Sequence, residues 1–256
     1  MRGFFTLVNK EYLGIIRSKK IIWLPIVFML MTLTQPLTLY YMEDILKMGG
    51  GLPEGSILQM PVPNAGEVMA SVLSQLNTLG VLVIVVAVMS TISDERKSGS
   101  LTFILIRPVS SLQIVGSKTL AEGSIVVGSF ICGYLLSYYY TVILFTTIPL
   151  HQVIESMLIY SLYCLFIVVC VIFSSALLTS NGAIAIVNIL FFSVLSIASS
   201  LFSDFLKWSP AELSSHAMSK LINEPTNGLP GSIFVTIFLM ILLLYAGARA
   251  VDQKRV

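Results

Sequence analysis

Charge is what this sequence has least of. Of 256 residues, 11% are charged and 56% hydrophobic, with a mean hydropathy of +0.91. A soluble domain carries roughly 25% charged residues. Folding alone could not hide this much apolar surface from water, so lipid is the solvent that fits. Cysteine is also scarce. Cys132, Cys164 and Cys170 all lie in apolar runs without metal-ligand spacing, so they read as small buried hydrophobes rather than as a disulfide or metal framework. The two histidines, His151 and His216, are far apart and form no His-Glu-x-x-His pattern, which argues against a zinc peptidase. His151 and Glu155, one helical turn apart, are expected as an interfacial pair at a helix start. Gly116-Ser117-Lys118-Thr119 lacks the adjacent Gly-Lys and the earlier glycine of a phosphate-binding loop, and no strand precedes it. With no convergent nucleophile and base, the chain is not expected to be an enzyme, and no cofactor or metal is expected on it. A net charge of +2 gives no sign of a nucleic-acid partner.

Long apolar runs are present instead. A membrane span needs about 20 mostly apolar residues. Candidate spans cover residues 21–41, with Pro25 and Pro36 inside and a kink expected near Pro36, then 68–92 and 120–147. Residues 153–202 carry one charge, Glu155. As one helix they would reach about 75 Å, against a hydrocarbon core of about 30 Å. The run must therefore cross twice. Its break belongs at Thr179-Ser180-Asn181-Gly182, giving spans 153–178 and 183–202. The last span is 232–248. Residues 42–67, rich in glycine and proline, read as a loop. The expectation is one all-α membrane domain over 1–256, with six membrane helices. Residues 1–20 precede the first apolar run and no small-residue cleavage site follows it, so the first helix is read as retained.

Cations set the orientation. Arg2, Lys10, Arg17, Lys19, Lys20, Arg96, Lys97, Arg107, Lys118, Arg249, Lys254 and Arg255 fall on one side, twelve of the fifteen, against Lys47, Lys207 and Lys220. Both ends are therefore expected in the cytoplasm. In residues 1–20, Phe5, Val8, Tyr12, Ile15 and Ile16 recur at helical spacing among lysines and arginines, which predicts an amphipathic helix in the membrane interface.

The loop 94–118 is the most informative stretch. A charged cluster, Asp94 to Lys97, leads to Gly99, then to Leu101–Ile106, too short to span. Pro108 stops a helix. Ser110 with Gln113 is a capping-box pattern, so a new helix should start there and lead into span three. A short apolar wedge outside the bilayer needs something to pack against.

This loop resembles the first cytoplasmic loop of the ABC type-2 transporter permeases, in which an acidic-basic cluster is followed by Gly-Thr-Leu, an apolar stretch, Pro-Val-Ser and Ile-x-x-Gly-Lys-x-Leu. The matching positions are Glu95, Gly99-Ser100-Leu101, Pro108-Val109-Ser110, Val115 to Lys118 and Leu120; Ser100, Ser111 and the extra Ser117 depart from the pattern. The resemblance implies a coupling helix seated on a separate ATPase subunit, with Glu95, Gly99, Leu101, Phe103, Pro108, Ser110 and Lys118 as coupling residues. It implies a dimer, with itself or a related permease, two ATPase subunits carrying ATP and Mg, and export across a bacterial cell membrane. A carrier or scaffold that needs no ATPase is the alternative. Spans two and five commonly line the pathway in that family, which points to Asn77, Thr78, Asn188, Ser193 and Ser196; interhelical hydrogen bonding would equally explain them.

Three further expectations follow from spacing. Glu122 should snorkel beside Lys118. Ser129, Gly133 and Ser137 should form a helix-packing seam. In the outer segment 203–231, Pro210 should start a helix whose apolar face holds Phe205, Leu206, Leu213, Ala217, Leu221 and Ile222, lying on or dipping into the outer leaflet; the family resemblance implies a lid over the pathway there.

Overall fold

The computed structural model describes residues 2–48, 63–99, 110–202 and 206–253. Within them lie nine helices: α1 (Arg2–Arg17), α2 (Lys20–Tyr40), α3 (Met42–Met48), α4 (Ala65–Lys97), α5 (Ser111–Leu144), α6 (Leu150–Leu177), α7 (Asn181–Leu201), α8 (Glu212–Leu221) and α9 (Leu229–Asp252). Six of them, α2, α4, α5, α6, α7 and α9, are long and apolar enough to cross a membrane. The protein is an all-α polytopic membrane protein.

Local chemistry explains the boundaries. Ser110 accepts from the Gln113 N–H and Gln113 Oε1 accepts from the Ser110 N–H, so α5 starts on the capping box. It runs unbroken from Ser111, earlier than the span start at residue 120. Asn64 and Glu67 build a second capping box at α4, each bond 2.9 Å. Thus the expected loop 42–67 contains α3 and ends on a cap, while residues 49–62 lie outside the described ones. The break between α6 and α7 spans Leu178 to Ser180, with Asn181 as the first helical residue. Lys19 turns the chain from α1 into α2 at φ 56°, and Gly228 begins α9 at φ 97°. Pro25 and Pro36 both lie inside α2, which is continuous.

The termini share one end of the bundle. Ser111 on α5 donates to Asp252 on α9, Arg96 on α4 donates to Ala176 O of α6 at 2.5 Å, and Glu11 on α1 meets Lys118 on α5 at 3.0 Å. At the opposite end, Gln152 donates to Asn223 at 2.6 Å, and Lys220 pairs with Glu155 at 2.9 Å. Glu155 also feels the field of His151, as expected from their spacing, and Lys220 adds a link from α8 to α6.

Packing makes α6 the hub. In its most apolar stretch 67% of the residues are buried, against 22% in α2 and 11% in α9. Around the outside, Leu30, Tyr139, Leu158, Leu190, Phe234 and Ile241 are exposed, the surface that hydrocarbon would cover. Gly133 lets α2 approach α5. A Cβ there would lie 3.0 Å from the Phe28 carbonyl, and Thr32 Oγ1 donates to Gly133 O at 2.8 Å. Ser129 and Ser137, also buried, complete the seam expected from their spacing. α8 buries Leu213, His216, Ala217 and Leu221 against α4 and α6, so it is packed into the helix ends rather than resting on them.

Candidate functional site

Two regions concentrate polar side chains. The first is an ion-pair network at the end of the bundle that holds the termini. The face of α1 turned to the bundle carries Glu11, Tyr12 and Ile15, while Phe5 and Ile16 are exposed, where the interface of a membrane would cover them. Apolar periodicity cannot separate a face that meets protein from one that meets lipid. Lys118, only 1% exposed, lies 3.0 and 3.1 Å from the Glu11 oxygens and 2.8 Å from Glu95, and donates to Thr91 O at 3.2 Å. Lys10 bridges Glu95 and Glu11. Burial draws its pKa down, but the hydrogen bond to Glu95 and the fields of Glu11 and Glu95 outweigh that, leaving it above the usual lysine value.

Glu122 does not snorkel beside Lys118. It is buried and pairs with Lys20 at 2.7 Å, also accepting from Thr91 at 3.1 Å. Four residues apart on α5, Lys118 and Glu122 each take a partner from another helix, so the network ties α1, α2, α4 and α5 together. Isolated charges at this depth would be costly, and pairing is what makes them tolerable.

The neighbouring end of α4 is fastened to α6 and α7. Ser175 Oγ donates to Met89 O and accepts from the N–H groups of Ile92 and Ser93, each at 3.1 Å, where α4 loosens into a turn at Met89. Arg96 caps the carbonyl end of α6 through Ala176 O and Leu178 O. Asn181, which the sequence marked only as a turn, accepts from Ser93 at 2.6 Å and Lys97 at 3.2 Å and donates to Asp94 at 2.9 Å. Gly99 follows at φ 72°, a conformation that suits glycine. Of the expected coupling residues, Glu95 and Lys118 are in direct contact, Gly99 ends the α4 side and Ser110 caps α5. Leu101, Phe103 and Pro108 lie outside the described residues.

The second region is a cleft between α4, α7 and α8. In α4 the residues Leu76–Gly80 form a π-turn, which widens the helix by a residue and often marks functional positions. Asn77 and Thr78 sit in it. One part of the cleft, about 280 Å³, is bounded by Asn77, Ser196, Ser199, Glu212, Ser214 and Ser215. A deeper part, about 350 Å³, shares Asn77 and Ser196 and is lined by Thr78, Ser193 and the apolar Leu79, Leu82, Ile189 and Phe192. Ser199 donates to Glu212, joining α7 to α8. The buried Oδ1 of Asn77 has no hydrogen-bond partner among the described residues. Four of the five expected pathway positions therefore share this cleft. Asn188 does not. It is buried, donates to Ile184 O at 2.8 Å and accepts from Ser174 at 3.4 Å, a helix-packing role. Glu212, Glu11 and Lys20 were not singled out by spacing, because their partners are far away in sequence. No group of three or more His, Cys, Asp or Glu side chains that could hold a metal occurs among the described residues.

Two similarities accompany this geometry. Residues 5–221 match a family described as ABC-2 family transporter protein. The chain is also 38% identical over 244 residues to the uncharacterized transmembrane protein YxlG of Bacillus subtilis (strain 168), covering 95% of each chain.

Proposed function

The chain belongs to the ABC-2 transporter family, and from that premise we propose that it is the permease subunit of an ATP-driven exporter in a bacterial cell membrane. The substrate pathway is the chain's contribution; ATP and Mg act on a separate ATPase, two copies of which serve a dimer of permeases. Both termini face the cytoplasm, following the twelve-to-three division of cations.

The observation that carries the coupling role is the joint Glu95–Lys118 and Arg96–Ala176 anchoring at the end of α4. The stretch between Gly99 and Ser110 leaves from a helix end tied to four others and re-enters on a capped helix. A push on it is delivered to α1, α4, α5, α6 and α7 together, as a coupling element requires. Charge placement also argues against an ion-driven carrier. The ion pairs sit at the bundle's two ends, and among the described residues no relay of paired acids and bases runs through the middle.

The test is affinity purification of the tagged chain from its native membrane in a mild detergent, with its companions identified by mass spectrometry. An ATP-binding subunit of the transporter type, recovered in equal amount, is expected. Repeated recovery without any ATPase would favour the carrier or scaffold instead.

A further inference from the structure

The cleft beside the π-turn is chemically lopsided. Its part near α8 is walled by oxygen: the serine hydroxyls of Ser196, Ser199, Ser214 and Ser215, the amide of Asn77 and the carboxylate of Glu212. Among the described residues lining either part, Glu212 is the one ionisable side chain, and neither lysine nor arginine is present. The deeper part is walled chiefly by Leu79, Leu82, Ile189 and Phe192. Asn77 belongs to both, with its carbonyl oxygen buried and unpartnered. By helix rise it stands about 18 Å in from the start of α4.

Each half excludes a class of occupant. A carboxylate and oxygen dipoles along one wall attract positive charge and repel an anion. A small hydrated cation would gain nothing from the apolar half, and a neutral hydrocarbon nothing from Glu212. A molecule with an apolar body and a positive charge uses both. Resting on the transport reading above, we propose that this cleft is a binding site for lipophilic cations, with Glu212 and Asn77 facing the charge and Leu82, Ile189 and Phe192 receiving the apolar body.

The experiment uses the purified full-length chain in lipid nanodiscs and two probes of nearly equal size and shape, tetraphenylphosphonium and tetraphenylborate. Empty nanodiscs correct for partition into lipid. Saturable binding of the cation, with the anion bound at least tenfold more weakly, is expected. Glu212→Gln keeps an oxygen for the Ser199 hydroxyl but removes the charge, and should weaken cation binding about tenfold while leaving the anion unchanged. Glu212→Asp should retain most of the affinity, and Asn77→Leu should also lose it. Gel-filtration profiles like that of the wild type show that the variants are folded. Equal affinity for the two probes, no saturable cation binding, or undiminished binding by folded Glu212→Gln overturns the proposal. No ATP or ATPase is present, so failure here is distinguishable from failure of coupling.

Discussion

The Lys118 ammonium sits between two carboxylates from different helices, 2.8 Å from Glu95 on α4 and 3.0 Å from Glu11 on α1. Its side chain is almost wholly buried, so water cannot replace either partner. Breaking a buried ion pair by removing one member costs about 3–5 kcal/mol. Lys118→Met should destabilise the purified protein by that order in thermal unfolding. Adding Glu95→Gln should recover part of the loss, since one orphaned charge is removed with it. Unchanged melting of Lys118→Met would show that the network contributes no net stability.

The stretch that follows Gly99 gives a functional counterpart. Leu101 is apolar, and the run from Leu101 to Ile106 is too short to span a bilayer. Burying such a side chain against a partner contributes about 1.5–3 kcal/mol, and an aspartate adds a desolvation cost. Leu101→Asp should leave membrane abundance unchanged while lowering ATPase co-purification and transport severalfold. Normal partner binding with normal transport would remove this stretch from the coupling role.

Orientation can be read by chemical labelling. In a cysteine-free background, cysteine in place of the exposed Lys207 should react with an impermeant thiol reagent on intact cells. Cysteine in place of the exposed Ser98 should react only after permeabilisation. The reverse pattern would invert the assignment of the termini to the cytoplasm.

Gly66 marks where α4 meets the end of α8. A Cβ on it would lie 2.3 Å from the Leu221 carbonyl oxygen, a backbone atom that cannot swing aside. Gly66→Ala should push α8 off its seat at about 1–3 kcal/mol, the usual range for overpacking. Faster hydrogen–deuterium exchange across Glu212–Leu221, with little change in α6, is the expected readout.

α8 should also respond to acid. Burial holds the His216 pKa below its ordinary 6.5, with the nearby Glu212 offsetting part of that fall, and Ser232 Oγ is 3.5 Å from its Nε2. The exposed imidazole therefore takes up a proton at higher pH than the docked one. Docking is fully stable above pH 6.5 and weakens as the pH falls through 6.5 towards the docked value. Protection of the α8 amides, after correction for the slower intrinsic exchange at lower pH, should fall between about pH 7.5 and pH 5.5 in the wild type, and His216→Gln should flatten that difference. An equal response in both proteins would move the sensitivity elsewhere.

Much of the fold was legible because its signals are local. Charge poverty and run length gave six spans, Ser110 with Gln113 gave the start of α5, and Thr179-Ser180 fell in the break between α6 and α7, although Asn181 and Gly182 are already helical. The active regions were less legible. Lys118–Glu11, Lys20–Glu122 and Ser199–Glu212 depend on which helices become neighbours, and spacing along one helix pointed instead to the wrong Lys118–Glu122 pair. The inward face of α1 was not legible for a physical reason. In a membrane the outward face is apolar too, so hydrophobic periodicity loses its sense of inside. Asn188 was grouped with the pathway because polarity at depth looks the same whether it faces a cleft or a neighbouring helix.

The π-turn at Leu76–Gly80 lets α4 carry one residue more than its packing faces need. In an unbroken α-helix an extra residue would rotate everything beyond it by about 100°; the widened turn takes it up locally. Before the turn, Met69 and Val72 are buried; after it, Ile84 and Val88 are buried, and the helix then presents Ser93, Glu95 and Arg96 to their partners. Deleting a single residue from the turn would therefore restore ideal winding with both halves still facing their partners, but would take away the widened backbone beside Asn77 and Thr78. The turn shapes the cleft rather than the packing of α4, and a helix of standard pitch would preserve the fold while narrowing the cleft.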